Sequence, residues 1–123
     1  MNLPLFIAGF FGVTGVAAGA FGAHALEASV TPERLDVWET AAQYHLIHAV
    51  VLLVLATRTT AAGALERLEV VGVTLGVLLF SFSLYALVLT DVSQFAMITP
   101  VGGLLLIVSW LAIGWQALSS KAG

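Results

Sequence analysis

The chain has 123 residues, of which 60% are hydrophobic and only 9% are charged. A soluble domain carries roughly 25% charged residues, so this composition excludes an ordinary water-exposed surface and indicates an integral membrane protein. The absence of cysteine excludes disulfides and thiolate sites, and four Lys and Arg against seven Asp and Glu exclude a basic patch for nucleic acid.

Four apolar segments are long enough to cross a bilayer, because about 20 apolar residues span its hydrocarbon core as a helix. They predict an all-α fold: an integral membrane four-helix bundle with antiparallel up-down topology, in a single domain over residues 1–123. The first segment has no preceding Lys or Arg and exceeds a signal-peptide apolar run in length, so we expect it to be retained. The predicted spans are about 3–25, 38–57, 68–90 and 98–118.

Orientation follows from the positively charged residues, which favour cytoplasmic loops. Arg58, Arg67 and Lys121 lie on the same side as the N-terminus, and Arg34 lies on the other. We therefore expect both termini and the 57–69 loop in the cytoplasm.

Glycines recur on one side of the first span and again in the third and fourth. Such stripes let helix backbones approach closely in lipid. They predict packing seams, either within one chain or between copies in a homo-oligomer. The predicted packing positions are Gly12, Gly15, Gly19, Gly22, Gly72, Gly76 and Gly103.

The second helix begins with Thr31-Pro32-Glu33, which combines a hydroxyl N-cap, proline at the first helical position and an acid in the first turn. We expect the helix to start near Pro32, outside the membrane. Further along, His45 and His48 are three residues apart and therefore neighbours. Because His45 shares its helix face with several alanines, this face is predicted to pack inside the bundle.

The third helix has Thr60 as a candidate N-cap. Near the membrane a turn is predicted, followed by an interfacial first turn of the helix, with the charged residues Glu66, Arg67 and Glu69. Thr74 and Ser81 are expected to bond back to their own helix carbonyls, as such residues often do in membranes. Tyr85 needs a hydrogen-bond partner or a place at the interface.

The fourth helix is predicted to start near Pro100, with Thr99 as its N-cap. Because spans alternate in direction, this start lies in the same membrane half as the start of the second span and the ends of the first and third. The arginine count makes this the outer half, and the other half is mostly aliphatic. A polar cluster is predicted there from His24, Glu39, Tyr44, His48, Tyr85 and Thr99.

Four blocks also carry a family resemblance: GAFGAHAL (19–26), QYHLIHA (43–49), FSFSLYAL (80–87) and ITPVGG followed by Trp110. In this order they resemble the small four-span bacterial membrane proteins known as domain of unknown function 423, the YgdD/YwdK type. The resemblance implies an inner-membrane location and four helices, and it implies no activity.

The chain departs from that family pattern at three positions. The pattern has glycine where Phe82 and Ser109 stand, and commonly glutamine where His45 stands. The resemblance therefore implies that His24, Tyr44 and His48 belong to the pattern, whereas His45 is particular to this chain.

Three functions remain open from the sequence. The first is a structural or accessory membrane protein with a hydrogen-bonded polar cluster, which has the bilayer as partner and needs no cofactor. The second is a small transporter or channel, with a relay through Glu39, His48 and Tyr85. The third is metal or haem binding by His24, His45 and His48, with Glu27 or Glu39. No enzyme is expected, because Ser81 and Ser83 have no base near them in sequence and no GxSxG motif occurs.

Overall fold

Four long apolar helices organise the protein in a computed structural model, which describes residues 1–58 and 63–119. Each helix is long and apolar enough to cross a membrane, and the described residues contain no strand. The predicted all-α membrane bundle is therefore confirmed. We refer to the helices as the first span (Leu3–Leu26), second span (Pro32–Ala56), third span (Ala64–Thr90) and fourth span (Ser93–Ser119).

Two of these spans change their helix type along their length. The first contains one π-helical turn, and the fourth opens with a 3₁₀ segment. In chain order the elements are α1 (Leu3–Ala17), the π segment (Ala18–Gly22), α2 (Ala23–Leu26), α3 (Pro32–Ala56), α4 (Ala64–Thr90), the 3₁₀ segment (Ser93–Met97) and α5 (Thr99–Ser119).

Of the predicted helix N-caps, Thr31 is confirmed and Thr99 is not. Thr31 is the N-cap predicted for the second span, and its side chain accepts a hydrogen bond from the Arg34 N–H at 3.2 Å. Thr99 does not act as the predicted cap. It is the first residue of α5, and its hydroxyl contacts Ser83 Oγ at 2.6 Å. The other predicted cap, Thr60, lies outside the described residues.

The second and third spans form the centre of the bundle, and the first and fourth pack on either side of them. Polar contacts link neighbouring spans at both ends of the bundle. Asn2 Nδ2 donates to the Ala56 carbonyl at 3.1 Å, and Arg34 pairs with Asp91 at 3.0 Å. The apolar core draws on all four spans and consists of Ala8, Phe11, Ala49, Leu52, Leu55, Val73, Val77 and Leu106.

The glycine seam of the first span lies against the second span. A Cβ added at Gly15 would lie 2.8 Å from Leu46 Cδ2, and one at Gly22 would lie 2.7 Å from Trp38 Cζ2. Gly19 makes an ordinary contact, 3.8 Å from Ala42 Cβ. Gly12 takes no part in this seam within the chain, because an added Cβ there meets nothing within 4 Å.

A second seam joins the third and fourth spans. Added Cβ atoms at Gly72 and Gly76 would lie 2.2 Å from Ser109 Oγ and 2.5 Å from Leu106 Cδ2. Gly103, the predicted position in the fourth span, has only an ordinary contact at 3.7 Å, whereas at its neighbour Gly102 the added Cβ would lie 2.3 Å from a backbone nitrogen. These seams are therefore used for contacts within one chain.

Candidate functional site

His45 lies at the centre of a hydrogen-bonded group that links three helices. It stands about midway along the second span and is 1% exposed. Its Nε2 is 2.9 Å from Thr14 Oγ1 on the first span, and its Nδ1 is 2.9 Å from the Tyr85 hydroxyl on the third. Both ring nitrogens therefore have partners, and each partner belongs to a different helix.

One arrangement of the protons satisfies every member of this group. The Thr14 hydroxyl donates to the Phe10 carbonyl at 2.9 Å, which leaves Thr14 Oγ1 to accept from His45 Nε2–H. His45 Nδ1 is then the acceptor for the Tyr85 O–H. A neutral imidazole has one donor and one acceptor nitrogen, so this arrangement uses every proton once. The chain of hydrogen bonds runs from Tyr85 through His45 and Thr14 to the first span's backbone.

His48 makes a corresponding bridge on another side of the second span. Its Nδ1–H donates to the Tyr44 carbonyl at 2.7 Å, and its Nε2 accepts from Trp110 Nε1–H at 3.0 Å. Trp110 belongs to the fourth span. Two histidines three residues apart thus connect the second span to all three other helices.

Aromatic rings enclose the His45 group. Phe11 and Phe82 approach the imidazole at ring-centroid distances of 5.5 and 5.2 Å, both near edge-on. Trp38 lies over Tyr85 with centroids 4.5 Å apart. Such contacts exclude solvent and fix ring orientation, which strengthens the enclosed hydrogen bonds.

Trp38 also connects the site to the π-helical turn of the first span. Its Nε1–H donates to the Ala18 carbonyl at 2.9 Å, at the first residue of that turn. The same carbonyl accepts the Ala23 N–H. A π turn alters the direction of backbone carbonyls, and here it presents one to the indole.

The structure separates most members of the predicted polar cluster. His24 and Glu39 are exposed and join no polar group in the described part of the chain. Tyr44 contributes its backbone carbonyl to His48, and Thr99 pairs with Ser83. Tyr85 has a hydrogen-bond partner as predicted, and that partner is His45.

The family resemblance led us to leave His45 out of the predicted polar cluster, although His45 is central to the observed group. Thr14 was not identified from the sequence. The alanine-lined helix face around His45 was the available signal for its burial. Thr14 and His45 both lie about midway along their helices, so the group is near the middle of the bundle.

A second polar group occupies the opposite end of the bundle, where the sequence predicts mostly aliphatic side chains. Glu69 is 0% exposed and forms an ion pair with Arg58, so the prediction of an interfacial Glu69 is wrong. Arg58 Nη1 also donates to Gln116 Oε1 at 3.1 Å. This group joins the ends of the second, third and fourth spans.

The hydroxyls of the third span divide between local and interhelical bonds. Thr74 donates to its own Val70 carbonyl at 2.7 Å, as predicted. Ser81 differs from the prediction: it is buried and donates to the Ala41 carbonyl of the second span at 2.8 Å. Polar side chains therefore join the two central helices directly.

The histidines offer little to a metal ion. Among residues 1–58 and 63–119, no three His, Asp or Glu side chains come together in a way that could hold one. His45 and His48 point to different helices, and protein groups occupy both nitrogens of each ring. His24 is exposed and apart from both.

The fold and the site define a small helical membrane protein whose spans are tied together by buried polar bridges. A family model described as "Protein of unknown function (DUF423)" matches residues 18–103. The chain belongs to this family.

Similar proteins are described as UPF0382 membrane proteins. The UPF0382 membrane protein YwdK of Bacillus subtilis is 36% identical, over 92% of this chain and 94% of that protein. A UPF0382 membrane protein of Staphylococcus saprophyticus is 37% identical, over 92% of this chain and 94% of that protein. One of Haemophilus influenzae is 33% identical, over 94% of this chain and 91% of that protein. No solved structure matches the chain. The protein is thus a membrane protein of a family without assigned activity.

The Trp110 to His48 hydrogen bond provides a first test of the site. We expect Trp110→Phe to lower the free energy of unfolding by about 1–2 kcal/mol, because it leaves buried His48 Nε2 without a donor. Trp115→Phe is the matched control on the same helix, since Trp115 is exposed and has no hydrogen bond in the described part of the chain. Thermal unfolding in detergent compares them, and equal losses would contradict the role given to Trp110.

Proposed function

We propose that this protein is a non-enzymatic structural or accessory component of the bacterial inner membrane. In this proposal residues 1–123 form one four-span domain with antiparallel helices and cytoplasmic termini. The observation that carries it is the closed hydrogen bonding of His45, whose two ring nitrogens are both engaged with neighbouring helices. A histidine used in this way holds helices together and has no nitrogen left for a ligand.

Contacts at the helix ends support the antiparallel arrangement. Asn2, at the start of the first span, contacts Ala56 at the end of the second span. Ala18, further along the first span, contacts Trp38 near the start of the second span. The second and third spans are joined at opposite ends by Arg34 with Asp91 and by Arg58 with Glu69.

The interior supports a structural role over a transport role. Leu52, Val73 and Val77 are all 0% exposed and belong to the apolar core. Val73 and Val77 lie along the third span between Glu69 and Tyr85, and so between the two polar groups. A relay through Glu39, His48 and Tyr85 finds no support in the geometry, since Glu39 is exposed and Tyr85 bonds to His45.

The bilayer is the partner that the surface favours. Large apolar side chains are exposed along all four spans, among them Phe6, Val54, Val71 and Leu111. Most predicted packing glycines contact helices of the same chain, which leaves Gly12 as the predicted position with an open surface for lipid or a second copy.

His45→Phe tests the structural role. We expect this change to lower the free energy of unfolding by about 2–4 kcal/mol, because two interhelical hydrogen bonds are lost and the Tyr85 hydroxyl is left without its acceptor. His24→Phe makes the same change at an exposed histidine and is expected to have an effect within about 0.5 kcal/mol. Thermal unfolding in detergent measures both.

A flux assay on proteoliposomes separates this role from transport. With a pH-sensitive dye inside the vesicles, we expect wild-type protein to give the same proton flux as protein-free vesicles. A flux above that level which His45→Phe abolishes would contradict the proposal and favour a transporter.

A further inference from the structure

A groove with a charged end and an apolar length lies beside the Arg58 end of the bundle. Its charged end is a cavity of about 250 Å³, lined by Pro4, Leu55, Ala56, Arg58, Glu66, Arg67, Val70 and Val71. A second cavity of about 210 Å³ shares Pro4, Val70 and Val71 with it and continues between the first and third spans. The two cavities are therefore adjacent, and we refer to them together as the groove.

The length of this groove is apolar. Beyond the shared residues its walls are Leu3, Ile7, Thr74 and Leu75. Thr74 adds no open polar group, because its hydroxyl donates to the Val70 carbonyl. From Arg67 to Leu75 the groove extends for about 12 Å along the helix, at 1.5 Å per residue. This surface suits a hydrocarbon chain.

The charged end has unused capacity for an anion. Arg67 is exposed, and its guanidinium has no hydrogen bond or ion pair among the residues that the structure describes. Arg58 Nη1 and Nη2 are engaged by Gln116 and Glu69, but its Nε is buried without a partner in the same residues. The nearby Glu66 carboxylate accepts the Gly63 N–H, which commits it to the start of the third span.

We propose that this groove binds an anionic phospholipid. The phosphate lies at Arg67 beside Arg58, and one acyl chain lies along the apolar walls between the first and third spans. Arginine is well suited to phosphate, and basic pockets between membrane helices recognise anionic headgroups. The proposal commits to a lipid over a free anion because the charged end continues directly into an apolar channel.

Native mass spectrometry of the full chain in detergent, titrated with dioleoyl phosphatidylglycerol or dioleoyl phosphatidylcholine, tests the proposal. We expect phosphatidylglycerol to bind at least fivefold more tightly. Arg67→Gln is expected to weaken its binding at least threefold, and Arg34→Gln, the same change at the opposite end, to leave it unchanged. Thermal unfolding is used to check that each variant is folded.

A second pair of variants tests the acyl-chain groove. Val71→Phe places a ring in the groove and is expected to weaken phosphatidylglycerol binding at least threefold. Val54→Phe is the control, because Val54 is similarly exposed, at 57% against 53% for Val71, and lines neither cavity. Equal binding of the two lipids would overturn the proposal, as would equal effects within either pair of variants. If inorganic phosphate displaced bound phosphatidylglycerol as effectively as free phosphatidylglycerol does, the site would be a simple anion site. That result would also overturn the proposal.

Discussion

Gly102→Ala is expected to lower the free energy of unfolding by about 2–3 kcal/mol, although it adds only one methyl group. The new Cβ would lie 2.3 Å from Phe80 N and 2.6 Å from Leu79 C, both backbone atoms of the third span. Backbone atoms in a helix cannot move aside as a flexible side chain can, so the third and fourth spans must separate. Thermal or denaturant unfolding in detergent measures the loss.

The neighbouring residue provides a matched control for this change. At Gly103 the added Cβ would lie 3.7 Å from Phe80 Cδ2, an ordinary van der Waals distance. Gly103→Ala is expected to stabilise the protein by up to about 1 kcal/mol, since alanine favours helix over glycine. If both variants lose stability equally, the close approach at Gly102 is not what holds these helices together.

Glu69→Leu is expected to cost about 3–5 kcal/mol, because it leaves the Arg58 charge in a largely buried position without its counter-ion. Glu69 is 0% exposed, and one of its oxygens, Oε1, has no hydrogen-bond partner in the described residues. Glu39→Leu makes the same change at an exposed carboxylate and is expected to shift stability by about 0.5 kcal/mol or less.

A double variant separates the contribution of the ion pair to stability from that of side-chain packing. Replacing a buried pair by apolar residues is often neutral, so Arg58→Leu with Glu69→Leu is expected to recover most of the loss. Unfolding curves of the wild type, both single variants and the double variant measure the coupling. If the losses simply add, the two side chains act independently and the ion pair is not the source of stability.

The stability tests concern the middle of the bundle, one of its ends, and the seam between the third and fourth spans. The His45 and His48 bridges hold its middle, and the Arg58, Glu69 and Gln116 group holds one end. The proposed lipid groove lies beside that end. Damage to the middle is expected to affect stability alone, whereas Arg67→Gln is expected to affect lipid binding and leave the bundle intact.

The features that were predictable from the sequence are local or periodic. Four apolar runs of sufficient length predict four membrane helices because a bilayer core has a known thickness. The Thr31 N-cap depends only on residues adjacent to it. The glycine seams at Gly15, Gly22 and Gly72 follow from helical spacing, since small residues on one face allow close approach.

The features that the sequence did not predict depend on pairs distant in the chain. Glu69 stands beside a loop in the sequence, but folding buries it in an ion pair with Arg58, which also donates to Gln116. Gly102 and Gly103 are indistinguishable by residue type, and the rotation of the fourth span decides which one meets the third.

The histidines show the same division. The sequence by itself determined the membrane class, the helical fold, and that His45 and His48 are neighbours on one helix inside the bundle. Only the tertiary structure decided that His45 bonds Thr14 and Tyr85 while His48 bonds Trp110, and that His24 and Glu39 stay apart. Periodicity gives a residue's face on its own helix, whereas its partners depend on the packing and rotation of the other three.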